Sequence, residues 1–210
     1  MNLLIISGGE KIKKEILYEY YKKVNYVICV DKGLEYAYEY NIKPNLIMGD
    51  MDSVDKDILQ KYNRENIITF SKIKDYTDTE LAIQKAIKLG AENIFLLCVT
   101  GNRLDHTISN IKLLLQLKKH NIKGIIVDNN NKIMIVNKYI KIKKQLNQVI
   151  SLIPLDQCNN VTTKGLLYPL INKNIDINWN IGISNKIIAE YGEITIKKGN
   201  LLIVISKESN

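Results

Sequence analysis

Two carboxylates stand one residue apart directly after a glycine in Gly49-Asp50-Met51-Asp52-Ser53, and a second acidic cluster follows at Asp75-Tyr76-Thr77-Asp78. Carboxylates that converge on one crevice repel one another unless a cation lies between them. Hard oxygen donors of this kind suit magnesium, and magnesium commonly brings a phosphate with it. A solvated acidic turn would carry the same residues, so the surrounding chain has to decide. A third polar segment, Thr100-Gly101-Asn102-Arg103-Leu104-Asp105-His106, holds one of the only two arginines, Arg64 and Arg103, among 30 lysines and arginines. A guanidinium offers phosphate a planar fork of N–H donors, where an ammonium offers a point charge.

The elements that position these groups can be read from periodicity. Residues 3–6, 26–30, 45–48, 67–70, 94–99 and 124–127 are apolar runs of strand length, and helical patterns lie between them. Continuous apolar strands alternating with helices predict a mostly parallel, Rossmann-like sheet with helices on both faces. Each polar segment falls just after a strand, on the side where such sheets bind ligands. Thr77 with Glu80 three residues on forms a capping box for a helix that ends at Gly90. Asp105 reads either as a helix N-cap or as a polar member of the site. After about residue 138 the helical period gives way to short runs rich in Val, Ile and Thr, at 149–153, 158–163, 181–183, 187–191, 193–197 and 200–205. These predict a C-terminal antiparallel β-sandwich, with domains at 1–138 and 139–210.

Composition excludes several function classes. The net charge is +8, but the lysines are scattered among Asn, Ile and Tyr without a dense basic block, which argues against nucleic acid as a partner. No apolar run is long enough to span a bilayer, and the N-terminal Met-Asn-Leu-Leu-Ile-Ile-Ser reads as a first strand rather than a signal peptide, so a cytoplasmic protein is expected. Cys29, Cys98 and Cys158 are odd in number, widely spaced and set in apolar runs, as reduced core cysteines are.

Taken in order, Gly8-Gly9, Asp31-x-Gly33, Gly49-Asp50-x-Asp52-Ser53, Lys74-Asp75-x-Thr77-Asp78, Thr100-Gly101-x-Arg103-x-Asp105-His106, Val149-x-Ser151-x-Ile153-Pro154, Gly165-Leu166-x-Tyr168-Pro169-Leu170 and Gly182-x-Ser184-Asn185 span nearly the whole chain. Together they resemble the thiamine pyrophosphokinases, which make thiamine diphosphate and AMP from thiamine and ATP. The resemblance implies a first domain that binds ATP and magnesium and a second that binds thiamine. It implies magnesium on Asp50, Asp52 and Asp78, with Arg103 and Asp105 as further catalytic groups. It puts Gly8, Gly9, Asp31, Gly33, Lys74, Thr77, Arg103 and His106 on the nucleotide side, with Lys32 as an additional cation. Tyr168, Ser184 and Asn185 match the positions that contact thiamine, a flat cation suited to an aromatic face. The family is homodimeric, with thiamine held between the α/β half of one subunit and the β half of the other. Met51, Lys32 and Asn102 depart from the usual residues. The general base is left open between metal activation of the hydroxyl and transfer to Asp78 or Asp105. Two rival readings are a metal-dependent nucleotide-sugar transferase using Asp50-x-Asp52 and a nucleic-acid binder using the positive charge. The first does not explain Asp78 or Arg103, and the second leaves the clustered aspartates repelling phosphate.

Overall fold

The computed structural model describes residues 1–73 and 75–208. The chain divides into two compact units, Met1–Asn129 and Asn130–Asn210.

In the first unit, strands β1 (Asn2–Ile6), β2 (Tyr26–Val30), β3 (Leu46–Gly49), β4 (Ile67–Thr69), β5 (Asn93–Leu97) and β6 (Lys123–Val127) stand in the order β4-β3-β2-β1-β5-β6. Every neighbouring pair is parallel. Leu3, Leu4, Ile5 and Ile6 are all fully buried, which is why β1 reads as an unbroken apolar run rather than an alternating one. Helices α1 (Lys14–Tyr21), α2 (Gly33–Glu39), α3 (Lys56–Leu59), α4 (Asp78–Lys88) and α5 (Leu104–Lys119) fill the connections. The chain steps outward from β1 through β2 and β3 to β4, then crosses back to β5 on the other side of β1. The strand order therefore reverses between β1 and β5. In an open parallel sheet, a crevice forms at the carboxyl ends of the strands at such a point.

The second unit is antiparallel throughout. Strand β7 (Asn131–Val136) pairs with β13 (Leu201–Lys207), which pairs with β9 (Gln148–Pro154). A second sheet runs in the order β11 (Lys173–Ile175), β10 (Cys158–Lys164), β12 (Tyr191–Thr195), β8 (Tyr139–Lys143). Ile150, Leu152, Leu201 and Ile203 from the first sheet share one core with Cys158, Val161, Ile175 and Ile194 from the other, so the unit is a sandwich. The units meet upstream of the composition change at 138, because β7 belongs to the second unit. The expected run at 181–183 is not a strand. Gly182 is pressed onto β9 there, and a Cβ on it would come within 2.5 Å of the Leu152 carbonyl oxygen. All three cysteines are buried and free. Among the described residues, no helix is long and apolar enough to cross a membrane.

Candidate active site

An open cavity of about 860 Å³ lies where the sheet order reverses, lined by the segments that follow β1, β2 and β5 and by the start of α4 and α5. Its floor is built by backbone hydrogen bonds between the loop after β1 and the loop after β5. Gly9 N donates to Cys98 O at 2.7 Å, and Glu10 N donates to Thr100 O at 2.7 Å. The Tyr36 hydroxyl reaches over from α2 to donate to Gly9 O at 2.9 Å. Asp31 and Cys98, each directly after a strand, and Met51, two residues past β3, all lie in the left-handed region with φ of 48°, 57° and 61°. Such non-glycine conformations are held only where the surroundings over-determine them, and they gather at functional sites.

Most of the expected nucleotide-side residues reach this cavity: Gly8, Gly9, Asp31, Thr77, Arg103 and His106 line it, and so does Lys32. Gly33 does not. It is buried where α2 crosses the end of β1, and a Cβ would stand 2.1 Å from Ile6 O, so its part is close packing. Lys74 lies outside the described residues.

Of the three expected metal ligands, Asp78 lines the cavity as the first residue of α4. The helix starts there because the Thr77 hydroxyl accepts from Glu80 N at 3.2 Å, as the capping box predicted. Asp50 is half-buried and Asp52 exposed, and their neighbour Ser53 rather than either carboxylate reaches the cavity wall. Asp50 Oδ1 accepts from Asp52 N at 3.1 Å, and Asp50 N donates to Asp31 Oδ1 at 3.2 Å. Gly49 is required at this turn, since a Cβ would overlap Asp31 Oδ1 at 1.8 Å. The exposed Lys72 ammonium is ion-paired to the Asp52 carboxylate. Among the described residues, no three His, Cys, Asp or Glu side chains are gathered as a metal cluster. The donor set is nonetheless all oxygen, which fits a hard divalent cation.

Arg103 lines the cavity, but its fork is already engaged. Nε donates to Asp105 Oδ1 at 3.2 Å and Nη2 to Asp105 Oδ2 at 2.5 Å. That hydrogen bond to Arg103 is the main reason the Asp105 carboxyl is held down at about 2. Asp105 is therefore not the N-cap of α5. Arg103 occupies that position, and the helix start has no side-chain cap. Burial pushes the Cys98 thiol up to about 11, so this cavity-lining sulfur is a poor nucleophile.

Several lining residues escaped the sequence reading. Ser7 and Thr79 are buried hydroxyls bonded to each other at 2.7 Å, and buried Asn110 donates to Val99 O at 2.7 Å. Tyr36 and Lys72 were hidden among 12 tyrosines and many lysines, with no spacing to single them out.

In the second unit, Tyr168 is 63% exposed while Asn185 is only 2% exposed. The Asn185 side chain serves the backbone: Oδ1 accepts from Tyr168 N at 3.0 Å and from Lys186 N at 2.9 Å, and Nδ2 donates to Tyr168 O at 2.7 Å. Ser184 is exposed and left-handed, with φ of 58°, and its N–H donates to Ser151 Oγ at 3.1 Å.

Comparison with known proteins bears on both units. The family model of the thiamin pyrophosphokinase catalytic domain matches residues 17–126, and that of the thiamin pyrophosphokinase vitamin B1 binding domain matches residues 137–201. The chain belongs to the thiamine pyrophosphokinase family. It is an enzyme of that class, a transferase that places a diphosphoryl group on thiamine. Thiamine pyrophosphokinase of Bacillus subtilis is 30% identical over 97% of this chain and 98% of its own length. A crystal structure of the Bacillus subtilis thiamine pyrophosphokinase superposes with a TM-score of 0.89 at 29% identity, covering 100% of both chains. The Geobacillus thermodenitrificans thiamin pyrophosphokinase gives 0.85 at 27% identity, over 100% of this chain and 99% of that one. The Candida albicans enzyme shares the fold at a TM-score of 0.84, with 22% identity, over 99% of this chain and 89% of that chain. Nothing in these matches favours a nucleotide-sugar transferase.

Proposed function

We propose that the chain moves the terminal diphosphoryl group of ATP to the primary hydroxyl of thiamine, releasing AMP, with magnesium as the divalent cation. The observation that carries this reading is the cavity at the strand-order reversal, where Gly8, Gly9, Lys32, Arg103 and Asp78 meet in a chain of this family. Diphosphoryl transfer asks little covalent chemistry of a protein. Positioning of donor and acceptor and neutralisation of charge carry the rate.

The chain supplies both. Gly9 packs so closely on the loop after β5 that a Cβ would stand 2.4 Å from Thr100 O, and the Tyr36 hydroxyl donates to its carbonyl, so the Gly8-Gly9 loop is held in one shape at the cavity wall where the nucleotide binds. Lys32, Lys74 and Arg103 are the cations for phosphate oxygens, and His106 on the first turn of α5 hydrogen-bonds the same group. Asp105 grips Nε and Nη2 of Arg103, so the guanidinium is pre-set and its remaining N–H groups address the substrate. Asp31 steadies the acidic turn through Asp50 N. Asp50, Asp52 and Asp78 would hold the magnesium, which supplies charge neutralisation on the diphosphoryl oxygens when bound.

In this reading the first unit, Met1–Asn129, is the ATP- and magnesium-binding domain, and the second, Asn130–Asn210, is the thiamine-binding domain, a boundary somewhat before the expected 138/139. The exposed Tyr168 ring offers a face to the thiamine cation. Asn185 fixes the backbone that carries the ring, and the exposed Ser184 is the further polar group for thiamine. Leu167, Ile171, Ile177, Trp179 and Ile183 leave an exposed apolar surface on the second unit, which a second copy of the chain covers in a homodimer. The enzyme works in the cytoplasm. Product analysis tests the reading: AMP should accumulate from ATP and magnesium only when thiamine is present, and thiamine-independent or absent AMP formation would reject it.

A further inference from the structure

Ser7 directly follows β1 and Thr79 is the second residue of α4, and the two are brought together at the wall of the cavity, 6% and 8% exposed. Their hydroxyl oxygens lie 2.7 Å apart, and either can be the donor. Two hydroxyls carry two protons, and their mutual hydrogen bond uses one. Neither hydroxyl has another hydrogen-bond partner among the described residues. Whichever oxygen accepts therefore keeps a buried O–H with nothing among the described residues to receive it. Buried donors are almost always satisfied, and one left over beside a cavity points to an acceptor that arrives from outside.

The surroundings select the acceptor. Lys32, Lys72 and Arg103 line the same cavity beside Glu10, Asp31 and Asp78, a lining suited to an anion that arrives with a divalent cation, as a nucleotide phosphate does. Thr79 lies in the first turn of α4, an 11-residue helix whose positive end adds to that preference. The matching chemical class is an oxygen that only accepts, on a phosphate. We propose that the Ser7–Thr79 hydroxyl pair donates its spare proton to a phosphate oxygen of the bound nucleotide. The inference rests on the nucleotide cavity of the preceding section and adds two residues to it. The pair works as one donor with a choice of two oxygens, which sets it apart from a purely structural hydrogen bond.

That difference gives the test. Ser7→Ala, Thr79→Val and the double variant are compared by thermal melting, by the KM for ATP and for thiamine, and by calorimetric binding of a non-hydrolysable ATP analogue with magnesium. In either single variant the surviving hydroxyl still has a proton and turns it to the phosphate, so the KM for ATP should rise by no more than about threefold. The double variant has no donor left. Its ATP KM and analogue Kd should rise on the order of tenfold or more, with thiamine KM unchanged. Stability should run the other way: the double variant, with both polar groups gone, should melt no lower than the worse single variant.

Nucleotide binding by the double variant within about threefold of wild type would overturn the proposal and leave a water as the acceptor. If the double variant does not fold, Ser7→Cys combined with Thr79→Val keeps the volume with a feeble donor, and the same rise is expected. Wild-type AMP formation is measured first. If it does not depend on thiamine, the transferase reading fails. If the wild type binds no analogue, the nucleotide cavity and this proposal fall together. Normal wild-type behaviour with an unaffected double variant rejects the hydroxyl pair alone.

Discussion

Replacing Asn185 by Ala separates a residue that builds the thiamine side from one that touches it. The side chain is 2% exposed and makes three hydrogen bonds, two accepted from Tyr168 N and Lys186 N and one donated to Tyr168 O. At about 1 kcal/mol each, their loss should cost about 3 kcal/mol, since the backbone groups left behind are partly shielded from water. For a chain of this length each kcal/mol lowers Tm by roughly 2–4 °C, so a fall of about 6–12 °C is expected. Tyr168→Ala is the control. Its ring is 63% exposed, so truncation should cost within about 0.5 kcal/mol and shift Tm by no more than about 2 °C. Its effect should instead appear as a several-fold rise in thiamine KM with ATP KM unchanged, the size of a lost cation–π contact of about 0.5–2 kcal/mol. Asn185→Ala should raise thiamine KM as well, because Tyr168 is no longer held. Both variants are measured by calorimetric melting and by steady-state kinetics on one preparation. An Asn185→Ala melting point within about 2 °C of wild type would refute the three-bond account. A strongly lowered Tm for Tyr168→Ala with normal thiamine KM would refute the exposed-ring account.

Asp50→Asn and Asp52→Asn should each abolish AMP production while leaving the melting curve unchanged, because an amide oxygen still accepts the Asp52 N–H but binds magnesium poorly. Near-full activity in both would remove these residues from the metal site. Arg103→Lys should lower kcat/KM more than tenfold, about 1.4 kcal/mol, since a tetrahedral ammonium lacks the planar fork that holds both Asp105 oxygens while other N–H groups address phosphate, and equal kinetics would make Arg103 a helix-start residue only. The pH response of the pair has a definite sign. Asp105 sits at about 2, below the ordinary Asp value of about 3.9, so its pairing with Arg103 is fully present above that ordinary value and is lost as pH falls through about 2. A carboxyl-carbon NMR titration should show no Asp105 midpoint near 4 in wild type and one near 4 in Arg103→Ala, and a wild-type midpoint near 4 would contradict the pairing.

The sequence by itself determined the parallel half of this protein, because burial on both faces of β1, β2 and β5 forces unbroken apolar runs and each polar segment must then fall at a strand end. It also determined the start of α4, where Thr77 caps through a local contact three residues away. The antiparallel half was legible as a class, but β7, β8 and β11 were not. β8 and β11 carry Lys or Asn at alternate or most positions, and β7, although apolar from Ile133 to Val136, takes its place from β13, a partner distant in the chain. The site divided along the same line. Gly8, Gly9, Asp31, Asp78, Arg103 and His106 were expected from ordered motifs that resemble the family, and all six line the cavity. Only the tertiary structure could pair Ser7 with Thr79, 72 residues apart. It also made Asn185 the support of Tyr168 and placed Gly33 under β1 instead of at the cavity wall. Each of these depends on where side chains point once strands are stacked, and hydrogen-bond direction leaves no trace in residue order.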